Sequence, residues 1–568
     1  MKNSMFAKYL LLSASVVILS AVMLVSCGPD HHKKTKPKPP PITTADDNDG
    51  DYIPDKIEAF LGLDANNSDE NSNGIIDGLD TAGVYGDTFF DMQWHIRNLG
   101  IATNDSGVLP VAGNDLDLLE IYHSYMGYND GTNMIVQVVD SGVDSLHEDL
   151  DLDLSRSYDG EDVGDPSSPS GIAHGTMVAG IMAATAFNGK GVRGVIPFAK
   201  IAGSNWLESQ TYHGLEKAWY SGVGANEIAV SNASWGHYFD YNTVYEDIMQ
   251  LGTANLRDGK GRIYVFAACN ERVAGGNANL QYMTNNRYAV TVAALKADNT
   301  HAVYSSPGSN ILVSGYSGNY YQDSPTIGTT TITGTSSNTG DINTKTTWSE
   351  DSSGNYTFTM NGTSAAAPTV AASIALVLEA CPDLTWRDVK RLAVIHAKPV
   401  DTANPSWVAN GAGLKHSIDY GFGLINPTAM IAECTDAAYT RLPVEISTSV
   451  TITPNAVIPD NTVAQTFNIN VPADFAIEWV EVTVDNDNSW SSDYRVDLTS
   501  PSGTKTTLMQ GKNGASYYVG GWMDGGFRLG TAAMTGESSA GTWVLGMADM
   551  WEGDEGTLKD ATIKIYGH

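Results

Sequence analysis

The chain has 568 residues, 42% of them hydrophobic and 17% charged, which suits a soluble globular protein of roughly two to four domains. Asp and Glu outnumber Lys and Arg 65 to 32, for a net charge of −33. That balance argues against a nucleic-acid partner and favours solubility and divalent cations.

Lys2 and Lys8 flank the start of an apolar run that gives way to small residues, the pattern of a secretion signal rather than a fold element. The run ends in Leu24-Val25-Ser26-Cys27, which resembles the bacterial lipobox. The resemblance implies a signal peptide at 1–26, a lipidated Cys27 and, with Gly28 next, residence at the outer membrane or cell surface. A plain membrane anchor with an incidental Cys is the alternative. "GPDHHKKTKPKPPPITT" is rich in Pro and Lys without apolar period, so 27–45 is expected to be an extended tether.

Residues 46–82 are acidic. In the second half Asp69, Asn71 and Asn73 stand at positions one, three and five of an EF-hand-like loop, Gly74 turns the chain, and Asp77 and Asp80 close the site. The first half is looser, with Asp47, Asp49, Asp51 and Asp55 spaced around Gly50. The pair resembles thrombospondin type 3 calcium repeats and is expected to form a calcium-stiffened spacer; a disordered acidic linker is the alternative.

From 85 to 437 short unalternating apolar runs (134–140, 228–235, 263–269, 288–295) interleave with helical stretches at 174–187 and 364–380, predicting a parallel sheet covered on both faces. Cys381 and Cys434 lie at helix ends, where a disulfide is one option. Cys269 reads as a buried free thiol. From 443 to 568 short alternating strands with Gly, Asn and Ser turns predict an antiparallel sandwich.

Asp140 ends a strand in "VVDSGVDSLHEDL", His174 opens a helix in "HGTMVAG", and Ser364 opens another in "NGTSAAAPTV", with Pro368 expected in the first turn. Each alone is an ordinary cap or turn residue. Together the order Asp, His, Ser with "DSG", "HGT" and "GTSAAAP" resembles the subtilases, subtilisin-like serine endopeptidases. The resemblance implies an α/β subtilisin-like fold with Ser364 as nucleophile, His174 as general base and acid, and Asp140 orienting the imidazole. It also implies that Asn270 donates to the oxyanion, a contact worth about 3 kcal/mol in the transition state. Cys269 stands where the family usually has Gly. "SNASWGH" (231–237) resembles the strand on which substrate pairs, with Ser234, Trp235 and Gly236 at an open edge. "AFNGKGVRGVIP" resembles the family calcium loop, implying Asn188, the carbonyls of Ala186, Lys190 and Val192, and the carboxylates of Asp149 and Asp87.

"YGFGLINPTAM" and the β-rich C-terminus resemble the kexin/furin group with its P (Homo B) jelly-roll domain. Ser141, Ser306 and the loop 271–283 replace acidic residues of that group, so dibasic specificity is not expected. Uncharged or mixed specificity is favoured, with Asp240 and the loop 158–165 keeping a basic preference open. Between Cys27 and Asp87 there is no room for an inhibitory prosegment, so a separate folding chaperone is expected. The rival reading is a catalytically silent, calcium-dependent surface protein.

Overall fold

The apolar runs form the interior of one parallel sheet. Its strands are β1 (Ile135–Val139), β2 (Lys200–Ser204), β3 (Ile228–Ala233), β4 (Ile263–Ala267), β5 (Ala289–Leu295) and β6 (Ile311–Tyr316), paired in the order β6-β5-β4-β3-β1-β2. All five pairings are parallel. A short hairpin, Tyr158–Asp159 with Asp162–Val163, extends the β2 edge. The structure, a computed structural model, describes residues 46–568 except 83, 105–106, 130, 237–242, 321–323, 335–352 and 512–519. The predicted signal, tether and Cys27 lie outside the described residues, as does Asp240.

Both faces of the sheet are covered, which is why its strands need no polar alternation. On one face lie α1 (His174–Ala183) and α2 (Thr363–Ala380), whose small side chains let helix and sheet approach closely. α2 is long and apolar enough for a membrane span, yet 94% of it is buried inside the protein, so it is a core helix. On the other face Trp206, Trp219 and Trp235 pack with Ile248 and Met249 of a helix spanning Val244–Asn255. α1 stops at Ala183, short of the expected 187, because residues 184–192 turn back around Asp149. A disulfide joins Cys381 to Cys434 and ties the end of α2 to the helix Pro427–Cys434. Pro368 is the sixth residue of α2, not part of its first turn as expected.

The C-terminal strands form two antiparallel sheets, one of five strands and one of four, with Val480, Val482, Leu498, Leu545 and Ile563 between them. The sandwich is docked on the α/β layer. Asn279 Nδ2 donates to Leu508 O (2.9 Å) and Gly530 O (3.1 Å), and Ser309 Oγ to Gly530 O (2.9 Å). Leu280 enters the sandwich core, while Trp479 and Tyr566 enter the α/β core. The loop 271–283 thus serves to dock the second domain.

The acidic segment 46–82 is not a free spacer. Ile53 and Ile57, on the helix Asp55–Leu61 and just before it, are buried in the α/β core. Phe60 packs against Tyr128 and Phe198, and Gly78 O accepts from Arg193 Nη1 (3.0 Å). The sequence reading missed this because alternating carboxylates mask two isoleucines spaced one helical turn apart.

Candidate active site

Asp140 follows β1 and His174 opens α1, so the carboxyl end of the sheet presents both. His174 Nδ1 lies 2.7 Å from Asp140 Oδ1. Asp140 is buried; its Oδ1 also accepts from the Ser141 N–H, and its Oδ2 has no hydrogen-bond partner. Close approach of helix and strand needs glycine. A Cβ on Gly175 would lie 2.1 Å from Gly142 O and 3.0 Å from Asp140 Cβ. Gly142 itself adopts φ 118°, a conformation that side chains disfavour. Ser141 accepts from Gly175 N through its hydroxyl (3.1 Å) and so steadies the turn that carries His174.

Ser364 is the second residue of α2, after Gly362 at φ 85°. Its Oγ donates to Ser234 O (3.0 Å), and Ser234 Oγ donates to Ser364 O (2.9 Å). The second bond has a clear cause. Pro368 has no N–H, so the carbonyl four residues earlier lacks its helical donor, and Ser234 supplies one. Sequence reasoning placed Ser234 at a substrate edge and missed this clasp; the missing donor at Pro368 was the available signal.

Asn270 follows the β4 strand and projects beside Gly362. Its Oδ1 accepts from the Thr363 N–H (2.8 Å) and hydroxyl (3.0 Å), which fixes the amide so that Nδ2 is its donor face. Cys269 holds φ 70°, the reason glycine suits this position. It is buried, and its thiol donates to Gln281 Oε1 (2.9 Å). Desolvation, aided by Glu271, pushes that thiol well above its ordinary range, leaving it unreactive. A Cβ on Gly236 would fall 2.0 Å from the same Gln281 Oε1. The Trp235 side chain points inward: its Nε1 donates to Val139 O (2.6 Å) and its ring stacks on Trp206, so only its backbone faces the expected substrate edge.

The loop 184–192 brings together Asp149, Asn188, Lys190 and Val192, residues expected from the sequence to form a calcium loop. Asn188 Nδ2 donates to Asp149 Oδ1 (2.6 Å), Val192 N to Asp149 Oδ2 (3.1 Å), and Lys190 N to Asn188 Oδ1 (2.9 Å). Ala186 is buried in the same loop. Burial pushes Asp149 up to about 8, and Asp87 adds to the rise. Asp87 Oδ2 is already paired with Arg193 (2.8 Å), a partner the sequence reading did not foresee. In the second acidic loop Asn71 Nδ2 (2.7 Å) and Asn73 Nδ2 (2.8 Å) donate to Asp80 Oδ2. Asp69 accepts from Asn73 N and Gly74 N, and Asp77 from Glu70 N. Asp55, expected in the first loop, instead accepts from Asn48 N (2.8 Å) and Nδ2 (2.7 Å).

Residues 131–423 match the Subtilase family profile, and residues 477–565 match the Proprotein convertase P-domain. The chain is 29% identical over 539 residues to the Aeromonas extracellular serine protease of Aeromonas sobria, covering 82% of this chain and 84% of that protein. It is also 29% identical over 498 residues to furin of Mus musculus, covering 85% of this chain but 58% of furin. The crystal structure of the serine protease of Aeromonas sobria superposes with a TM-score of 0.76 at 25% identity, over 88% of this chain and 99% of that one. A second solved structure, of that protease in complex with the chaperone (ORF2), gives the same TM-score and identity over 85% and 95% of the two chains. The chain belongs to the subtilase family. It is a subtilase-type serine endopeptidase with a P-domain behind its catalytic layer.

Proposed function

We propose that this endopeptidase cleaves peptide bonds through an acyl-enzyme on Ser364. The observation that carries the reading is the 2.7 Å contact between His174 Nδ1 and Asp140 Oδ1, at the same end of the sheet as Ser364 and Asn270. Ser364 Oγ leaves its bond to Ser234 O and gives its proton to His174 Nε2 as it attacks the scissile carbonyl carbon. The new C–O bond moves the carbonyl electron pair onto oxygen, where Asn270 Nδ2 and the Ser364 N–H stabilise it. Asp140, with one buried carboxylate oxygen unpaired, stabilises the imidazolium and holds its tautomer. His174 then protonates the leaving amine, and a water activated by His174 releases the acid. Substrate would pair with the backbone of Ser234, Trp235 and Gly236 by strand addition.

Calcium fits the residues around Asp149. They are oxygen donors, and two are buried carboxylates. Asp87, Asp149, Asn188 and the loop carbonyls of Ala186, Lys190 and Val192 would hold the ion, and Asp69, Asn71, Asn73, Asp77 and Asp80 a second. Bound there, calcium supplies structural charge balance and takes no part in the chemistry. A separate chaperone is supported by the Aeromonas sobria complex. Secretion with an anchor at Cys27, and substrates with uncharged or mixed side chains, complete the reading.

The test is cleavage of an unstructured protein such as casein by the purified enzyme, with and without chelator. Wild type cleaves and Ser364→Ala does not; chelator lowers the melting temperature and speeds self-digestion. Equal cleavage by the two proteins, or a melting temperature indifferent to chelator, contradicts the corresponding part.

A further inference from the structure

The first acidic loop shows a second arrangement that neither the catalytic machinery nor the family calcium loop uses. Carboxylate oxygens of Asp47, Asp49 and Asp51 lie within 4.8 Å of one another. Glu58, one turn into the helix that follows, lies within electrostatic reach of all three. Asp51 and Glu58 are 0% and 1% exposed, yet Asp51 Oδ2 and Glu58 Oε2 have no hydrogen-bond partner. Asp51 Oδ1 accepts from Ile53 N (2.7 Å), but a buried carboxylate oxygen left without donor or counter-charge is costly. The nearby bases are engaged at the rim. His123 Nδ1 contacts Asp47 Oδ2 (2.5 Å), and Lys56 Nζ faces Glu379 (3.7 Å). Counted from Asp47, the four acids occupy positions 1, 3, 5 and 12 of a calcium-loop spacing. The position that such a loop gives to glycine is Tyr52, which adopts φ 76°.

We propose that Asp47, Asp49, Asp51 and Glu58 form a site for a hard divalent cation of the calcium class, and that this ion braces the acidic segment against the helix carrying Ser364. The brace has several contacts. Asp47 grips His123. Lys56 faces Glu379, near the far end of α2, and Glu379 Oε2 accepts from Gly127 N (2.7 Å). Ile53 and Ile57, inside the loop, are buried in the same core as α2. A Cβ on Gly78 would lie 2.1 Å from Asp51 O, so the second acidic loop rests directly on the first. With the ion bound, its two positive charges offset half of the four carboxylate charges, and Ile53 and Ile57 stay buried. Without it the carboxylates repel and the segment lifts, exposing Lys56 and the two isoleucines. The inference rests on the proposed function only in naming α2 as the nucleophile's helix; ion binding and segment release are read without catalysis.

The experiment uses the full chain carrying Ser364→Ala, so that self-digestion does not blur it. The protein is stripped with chelator and titrated with calcium by calorimetry, alone and with Glu58→Gln or Asp55→Asn added. Glu58→Gln is expected to bind one ion fewer, and Asp55→Asn the same number as its parent. Trypsin should cut after Lys56 at least tenfold faster in chelator than in calcium, and in Glu58→Gln the protection by calcium should be lost. Should Glu58→Gln fail to fold, terbium serves as probe. Its luminescence, excited through Tyr52 in the loop, should rise on binding and fall strongly in Tyr52→Phe. Unchanged ion stoichiometry in folded Glu58→Gln, calcium-independent cutting at Lys56, or terbium luminescence indifferent to Tyr52→Phe would overturn the proposal.

Discussion

Ser234 and Ser364 hold each other by two hydrogen bonds, each hydroxyl donating to the other's carbonyl. The bond to Ser364 O replaces the helical donor that Pro368 lacks. Ser234→Ala is therefore expected to leave a buried carbonyl unpaired, at a cost of about 1–3 kcal/mol. Pro368→Ala restores a helical N–H to that carbonyl, so Ser234→Ala should cost less in its presence. Denaturant unfolding of the two single variants and the double variant measures the difference; strictly additive losses would show that the clasp does not compensate for the proline.

Asn270 is fixed by Thr363 and faces its Nδ2 away from it. Asn270→Ala is expected to lower kcat by about 10²–10³ with KM nearly unchanged, since the contact is made in the transition state. Thr363→Val removes one of the two bonds that orient the amide and should lower kcat less. Steady-state kinetics on a chromogenic peptide separates these; a loss confined to KM would assign Asn270 to substrate binding instead.

The left-handed backbone at Cys269 sorts its substitutions. A β-branched residue is strained there, so Cys269→Val should destabilise by about 1–3 kcal/mol, whereas Cys269→Gly accepts the conformation. Because the thiol is buried and held protonated, iodoacetamide should label it only after unfolding. Mass spectrometry of native and denatured protein checks this, and rapid native labelling would refute the burial.

Acid sensitivity follows from two core histidines. Burial holds His95 down to about 3, and burial holds His416 down to about 4 against the opposing bond to Ile311 O. The unfolded chain takes up these protons near 6.5, before the folded state does. Stability is thus fully present above about 6.5 and falls as pH drops through that value toward 4, by on the order of 3 kcal/mol for His416. Melting temperatures across this range should fall, less steeply in His416→Gln; parallel curves would remove His416 from the account.

The parallel sheet, the sandwich and the residues brought to the sheet's carboxyl end were legible because they are carried by local signals: unbroken apolar runs, period-two strands, and small-residue motifs around Asp140, His174 and Ser364. What was not legible depends on contacts distant in sequence. Arg193 meets Asp87 across more than a hundred residues, and Asn279 reaches the sandwich from the loop 271–283. The inward turn of Trp235 is set by Val139 and Trp206, which sequence spacing does not place beside it.

The central claim is that Ser364 is the nucleophile activated by His174, and a fluorophosphonate probe tests it most directly. Intact wild type should gain the mass of one phosphonyl group, mapped to the peptide containing Ser364, while Ser364→Ala and His174→Ala stay unlabelled under the same conditions. Absence of labelling in folded wild type, or labelling of Ser364→Ala at the wild-type rate, would contradict it.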